Sequence, residues 1–137
     1  CRIGGRSLYN ILDKITEGNG EASDIETLNK IGTAMKKAAL CGLGQTAPNP
    51  ILSTIKYFGK EYEAHIKDKR CPAGKCKPLI SFHILADKCI GCGVCARKCP
   101  VQAISGERRQ LHEIDHAKCI KCGECFTACK FGAVYKR

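Results

Sequence analysis

The sequence contains no apolar run of about 18 residues, which excludes a membrane-spanning helix. It opens on Cys1 rather than Met, and nothing near that end has the charged, apolar and small-residue zones of a signal peptide. The expectation is a piece of a longer, cytoplasmic protein. Aromatics are few, at 6% with no Trp, and acidic residues are outnumbered 13 to 23 by Lys and Arg, for a formal charge of +10. No helix-turn-helix, zinc-finger spacing or aromatic platform accompanies that charge, so nucleic acid is not an expected partner. The excess is spread over Lys67, Lys69, Arg70, Lys75, Lys77, Arg108, Arg109, Lys136 and Arg137. That pattern reads first as a solvated basic face and second as a surface for an acidic protein partner.

Cysteine is what the sequence has in abundance, with 12 in 137 residues. In a secreted chain this density would suggest disulfides. Here the thiols fall at metal-ligand spacing among lysines, glycines and arginines, and they read as ligands.

Two halves differ in composition. Leu8, Ile11, Leu12 and Ile15 form one helical stripe that ends at Gly18-Asn19-Gly20. Ser23 and Glu26 have the spacing of a capping box and open a second helix through Ile25, Leu28, Ile31, Met35 and Ala38, which Gly42 stops. Residues 45–50 read as a loop, with Asn49 as N-cap and Pro50 at the first position of a third helix marked by Ile51, Ile55, Phe58, Tyr62 and Ile66. The second half has short strand-like segments at Leu79–Leu85 and Gln110–Ile114. The fold class expected is α+β: a three-helix bundle over 1–66, a linker over 67–78 that includes a candidate metal site, and a small cluster-binding domain over 79–137.

The second half is internally duplicated with a period of 30 residues. Lys88-Cys89-Ile90-Gly91-Cys92-Gly93-Val94-Cys95 matches Lys118-Cys119-Ile120-Lys121-Cys122-Gly123-Glu124-Cys125, and Ala103-Ile104 matches Ala133-Val134. Each repeat reads C-x2-C-x2-C-x3-C. Three closely spaced thiolates hold three corners of an iron-sulfur cube, and the fourth Cys of each run leads away on a helical turn to the other cube. Cys89, Cys92, Cys95 and Cys129 are assigned to one cluster, and Cys119, Cys122, Cys125 and Cys99 to the other. Zinc would need paired C-x2-C units and no third evenly spaced Cys. With eight thiolates available, His112 and His116 read as exposed strand and loop residues. This half resembles the bacterial two-cluster ferredoxin. Its pattern has Pro after each run, which Pro100 supplies and Lys130 does not, leaving the second loop's conformation open.

Cys1-Arg2-Ile3-Gly4 and Cys41-Gly42-Leu43-Gly44-Gln45-Thr46-Ala47-Pro48-Asn49-Pro50 resemble the C-terminal helical domain of the NADH- and flavin-binding subunit of respiratory complex I and of its relatives in NAD-linked and electron-bifurcating iron hydrogenases. The resemblance implies that Cys1 and Cys41 are the third and fourth ligands of a further four-iron cluster whose first two ligands lie upstream. The appended ferredoxin half is similar to the large subunit of soluble hydrogenases. The implied parent takes hydride from NADH onto FMN and works beside other subunits of a hydrogenase or NADH dehydrogenase complex, with ferredoxin as a further candidate partner. FMN and NAD belong to that parent alone, since no glycine-rich loop for either is present and no catalytic residue is expected on this chain. The expected role is one-electron transfer through two [4Fe-4S] clusters and part of a third. A stand-alone ferredoxin carrier and a structural, metal-stabilised assembly module are the alternatives.

Cys71 and Cys76 are used by neither motif. C-x4-C with His65 nearby is within the range of structural zinc sites, with His83 as the next candidate ligand and a fourth unidentified. Free loop thiols or a regulatory disulfide are the competing readings.

Overall fold

The computed structural model describes residues 1–137, which form two compact units, Cys1–Leu79 and Ile80–Arg137. The fold mixes helices with small sheets.

In the first unit, α1 (Arg2–Thr16), α2 (Ala22–Ala38) and α4 (Asn49–Lys67) are long helices, and α3 (Gly42–Thr46) is a short one. Their apolar stripes meet in one core of Leu8, Ile15, Leu28, Met35 and Ile66, flanked by Ile11, Leu12, Ile25, Ile31, Ile51, Ile55 and Tyr62. The helix boundaries differ from expectation in three places. Helix α2 starts earlier, because Glu21 is its N-cap and Asp24 supplies the returning carboxylate, accepting the Glu21 N–H at 2.7 Å. Asp24 wins over the Ser23–Glu26 pairing because it also takes Lys14 from α1, with Nζ 3.2 Å away. The same helix ends at Ala38, and Gly42 begins α3 instead of stopping α2. Helix α4 takes Pro48 as its N-cap, one residue before Asn49, with Pro50 still inside the first turn where its missing N–H is no loss. Phe58 (φ −122°, ψ 27°) breaks the helical path midway along α4.

The segment after α4 packs against the same helices. Lys69 Nζ donates to the Gly20 carbonyl at 3.2 Å, and the Cys71 N–H donates to the Leu79 carbonyl at 3.3 Å after a single 3-10 turn, Lys77–Leu79.

In the second unit the order is β1 (Phe82–Ile84), α5 (Val94–Lys98), β2 (Ile104–Ser105), β3 (Glu113–Ile114), α6 (Glu124–Ala128) and β4 (Val134–Lys136). Strands β1 and β3 are shorter than the sequence suggests because the chain leaves each of them for a cysteine loop. The pairing is crossed between repeats: β1 runs antiparallel to β4, with His83 opposite Tyr135, and β2 runs antiparallel to β3, with Ile104 opposite Ile114. Each repeat's first strand therefore pairs with the other repeat's second. The core of Ile80, Phe82, Cys95, Ile104, Cys125 and Val134 lies between them.

Candidate iron-sulfur sites

The duplicated loops take the same path with different residues. Gly91 has φ +68° and its repeat partner Lys121 has φ +57°; Gly93 and Gly123 have φ +69° and +84° and cap α5 and α6. After the fourth thiols, Gln102 (φ +51°) and Gly132 (φ +60°) close matching turns, donating to the Cys99 and Cys129 carbonyls at 3.3 Å each. Lys130 in place of Pro therefore leaves the second turn unchanged.

Backbone hydrogen bonds carry each fourth thiol into the other repeat. Cys99 Sγ accepts the Ala103 N–H at 3.2 Å, the Ala103 carbonyl accepts the Asp115 N–H at 2.7 Å, and the Asp115 carbonyl accepts the Cys119 N–H at 3.0 Å. The mirror route runs from Cys129 through Ala133, whose carbonyl takes the Leu85 N–H at 2.8 Å, to Cys89, whose N–H reaches the Leu85 carbonyl at 3.0 Å. Two small apolar cavities result. One is lined by Cys89, Cys92, Cys95 and Cys129, the other by Cys99, Cys119, Cys122 and Cys125.

Burial raises the Cys95 thiol and pushes Cys125 up to about 11, because each is the innermost thiol of its run. For Cys129 burial also acts upward, but the N–H groups of Val134, Ala133, Phe131 and Gly132 outweigh it and the net shift is down. Four soft thiol donors around an apolar cavity, with amide N–H groups directed at sulfur, suit an iron-sulfur cube.

His116 is exposed, as expected, but His112 is not: it is 3% exposed and lines the cavity of Cys89, Cys92, Cys95 and Cys129. Residue type alone does not separate the two histidines. The repeat does, because it places His112 in register with the buried Phe82.

In the first unit, Cys1 precedes α1 and Cys41 is the N-cap of α3, both exposed. Gly44 sits between them: a Cβ there would lie 3.4 Å from Cys1 Cβ and 3.8 Å from Cys41 Sγ. The two thiols thus flank one glycine although forty positions separate them in the chain.

His65, Cys71 and Cys76 also come together, with their ligand atoms all within 4.8 Å of one another. His65 Nδ1 donates to the Glu61 carbonyl at 2.7 Å, which turns Nε2 toward the thiols, 3.5 Å from Cys76 Sγ. Burial pushes Cys71 up, but the N–H groups of Cys76 and Lys75, the Cys76 side chain and His65 reverse this and hold it at about 7. Burial and the neighbouring Cys71 push Cys76 up to about 11. His83 is not a member of the group. It pairs with Ser81 Oγ at 2.9 Å, stacks on Tyr135 and lies tilted against His116, at centroid distances of 5.4 and 4.8 Å, because β1 fixes it opposite Tyr135.

Crossed four-thiol cavities on a duplicated sheet define an iron-sulfur electron-transfer module. Residues 1–65 belong to the iron-sulfur binding region of NADH-ubiquinone oxidoreductase F, and residues 88–133 to the 4Fe-4S dicluster domain. Over all 137 residues the chain is 53% identical to the NADP-reducing hydrogenase subunit HndC of Solidesulfovibrio fructosivorans, spanning 28% of that protein. Over 72 residues, 53% of the chain and 16% of the relative, it is 42% identical to the F-type subunit of the NADH-quinone oxidoreductase of Streptomyces coelicolor. The beta subunit of the NADP(+)-dependent formate dehydrogenase of Moorella thermoacetica is 28% identical over 105 residues, 70% of the chain and 15% of that subunit. The chain thus spans between about a seventh and somewhat over a quarter of the length of these relatives.

Proposed function

We propose that the chain relays single electrons through two [4Fe-4S] clusters of a ferredoxin-like unit and helps hold a third in a helical bundle. The crossing of the repeats carries this reading. Each cavity gathers three thiols of one repeat and the fourth of the other, so Cys89, Cys92, Cys95 and Cys129 hold one cluster and Cys119, Cys122, Cys125 and Cys99 the other. The clusters supply one-electron redox chemistry, and the chain's own residues set burial, hydrogen bonding to sulfur and spacing. Cys1 and Cys41 provide two of four ligands to the third cluster, the rest coming from upstream of Cys1 in a longer protein.

That longer protein is an NADH-dependent oxidoreductase or hydrogenase subunit, cytoplasmic, carrying FMN and NAD sites outside this chain and assembled with partner subunits. His65, Cys71 and Cys76 hold zinc as a structural ion, with the fourth ligand from elsewhere in the parent. The three converging donors, with His65 Nε2 turned toward the thiols, support this assignment.

Anaerobic reconstitution of the chain tests the electron-transfer reading. About eight irons per chain and two [4Fe-4S] signals are expected on reduction, because Cys1 and Cys41 alone cannot complete a third cluster. Four irons or fewer, or clusters that no physiological reductant of low potential can reduce, would contradict it.

A further inference from the structure

The two thiol cavities are near copies of one another, but their mouths differ in charge. That of Cys89, Cys92, Cys95 and Cys129 is lined by Lys88 and by no carboxylate, whereas that of Cys99, Cys119, Cys122 and Cys125 is lined by Glu124 and by no cation. The repeat shows how the difference arises. Glu124 takes the place of Val94. Lys118 is the equivalent of Lys88, but its Nζ turns to Asp115, 3.7 Å away, and it does not line its cavity. The equivalent of Asp115 is Leu85, so nothing draws Lys88 aside in the same manner. Lys98 and Lys121, the other cations next to thiols of the second set in the chain, do not line that cavity either.

Two further cations stand at the first mouth. Arg97, in place of Thr127, reaches over the cysteine loop, where a Cβ at Gly93 would lie 3.5 Å from its Nη1. Lys130, in place of Pro100, directly follows Cys129. Lys88, Arg97 and Lys130 are all exposed, and the chain's ion pairs engage Lys14, Lys30, Lys67 and Lys118 but none of these three. Asp87 is exposed beside Lys88 in the chain and lines neither cavity.

Apolar side chains occupy the same face. Ile90 is 56% and Phe131 51% exposed, and both line the first cavity together with Cys92, itself exposed. An apolar centre within a charged rim is the anatomy of a protein-protein contact. A free anion would gain nothing from Ile90 and Phe131. A four-iron cluster held by four thiolates carries net negative charge, so a mouth without cations repels an acidic surface. Unpaired cations offset that charge and steer an acidic partner, raising association rates by about 10- to 1,000-fold at low salt. Glu124 acts in the opposite sense at the second mouth.

We propose that the first mouth is this unit's port for an acidic one-electron carrier protein, which docks over Ile90 and Phe131 within the rim of Lys88, Arg97 and Lys130. It exchanges its electron with the cluster of Cys89, Cys92, Cys95 and Cys129. One electron passes from the reduced carrier to the oxidised cluster, or back, with no bond made and no proton moved. The proposal rests on the two-cluster reading above.

Stopped-flow reduction of the anaerobic, cluster-loaded chain by a reduced acidic two-cluster ferredoxin tests it. At low ionic strength, Lys88→Gln combined with Arg97→Gln and Lys130→Gln slows the second-order rate about tenfold. The deficit closes at about 1 M salt, where charges are screened beyond roughly 3 Å. Ile90→Asn slows the reaction at every salt concentration. The repeat supplies the controls, Lys118→Gln and Ile120→Asn at the second mouth, which leave the rate unchanged. Photoreduced deazaflavin, a small donor that needs no docking, reduces all variants alike. Equal losses at the two mouths, or a triple variant as fast as the unsubstituted chain, would overturn the proposal. A deficit of the same size with deazaflavin would place the effect in the cluster and overturn it too. An unsubstituted chain that holds well under about eight irons and takes no electrons from deazaflavin would instead overturn the two-cluster reading.

Discussion

Replacing Gly91 with Ala asks whether the first cysteine loop is built by close backbone approach. Gly91 has φ +68°, a region that costs an L residue roughly 1–2 kcal/mol. A Cβ there would also stand 2.4 Å from the Gln110 N and 2.6 Å from Arg109 C and Cα, all backbone atoms that cannot swing aside. The 107–110 turn would have to move, loosening the Arg109 N–H bond to the Gly91 carbonyl, now 3.0 Å. Overpacking of this kind costs roughly a further 1–3 kcal/mol, so the total is about 3 kcal/mol. Lys121 is the internal control, because it adopts the same backbone region with a full side chain and Lys121→Ala should cost under about 0.5 kcal/mol. The assay is the rate of cluster release at fixed urea, which tracks the opened population when reclosing is fast. Gly91→Ala should release its cluster on the order of a hundredfold faster than the unsubstituted chain, with Lys121→Ala unchanged. Equal rates for the two variants would refute the close-approach argument.

Zinc measured in the anaerobically purified longer protein should stand near one per chain above any other site, and fall away in Cys71→Ser, Cys76→Ser and His65→Gln with cluster iron retained; zinc unchanged by these substitutions would remove the site. Asp24→Ala removes both the acceptor for the Glu21 N–H and a partner of Lys14, and should cost about 1 kcal/mol in unfolding free energy. Ser23→Ala should cost nearly nothing, and a reversed ranking in urea unfolding would restore the Ser23–Glu26 box.

The helical stripes are legible in the sequence because Leu8, Leu28 and Ile66 face one core at a 3.6-residue period. The duplicated thiols are legible because their spacing admits few other uses. The boundaries are less so. Asp24 outcompetes Ser23 through Lys14, a residue on another helix, and no local pattern shows that. The crossed strand pairing follows from two repeats sharing one core, but strands of two or three residues leave little alternation to read. His112 reads like any strand histidine, and its burial depends on Gly106 and on the Phe82 register across the repeat. His83 is a candidate ligand by residue type, whereas β1 commits it to Tyr135. His65 is legible beside Cys71 and Cys76 only as a neighbour in sequence, and the turn of its Nε2 toward the thiols depends on the Glu61 carbonyl.

The most direct test of the central claim is paramagnetic resonance on separately reconstituted Cys99→Ala and Cys129→Ala chains. The crossed assignment predicts that Cys99→Ala perturbs the cluster of Cys119, Cys122 and Cys125, and that Cys129→Ala perturbs that of Cys89, Cys92 and Cys95. Damage in each variant to the cluster of its own repeat, with the other left intact, would contradict it.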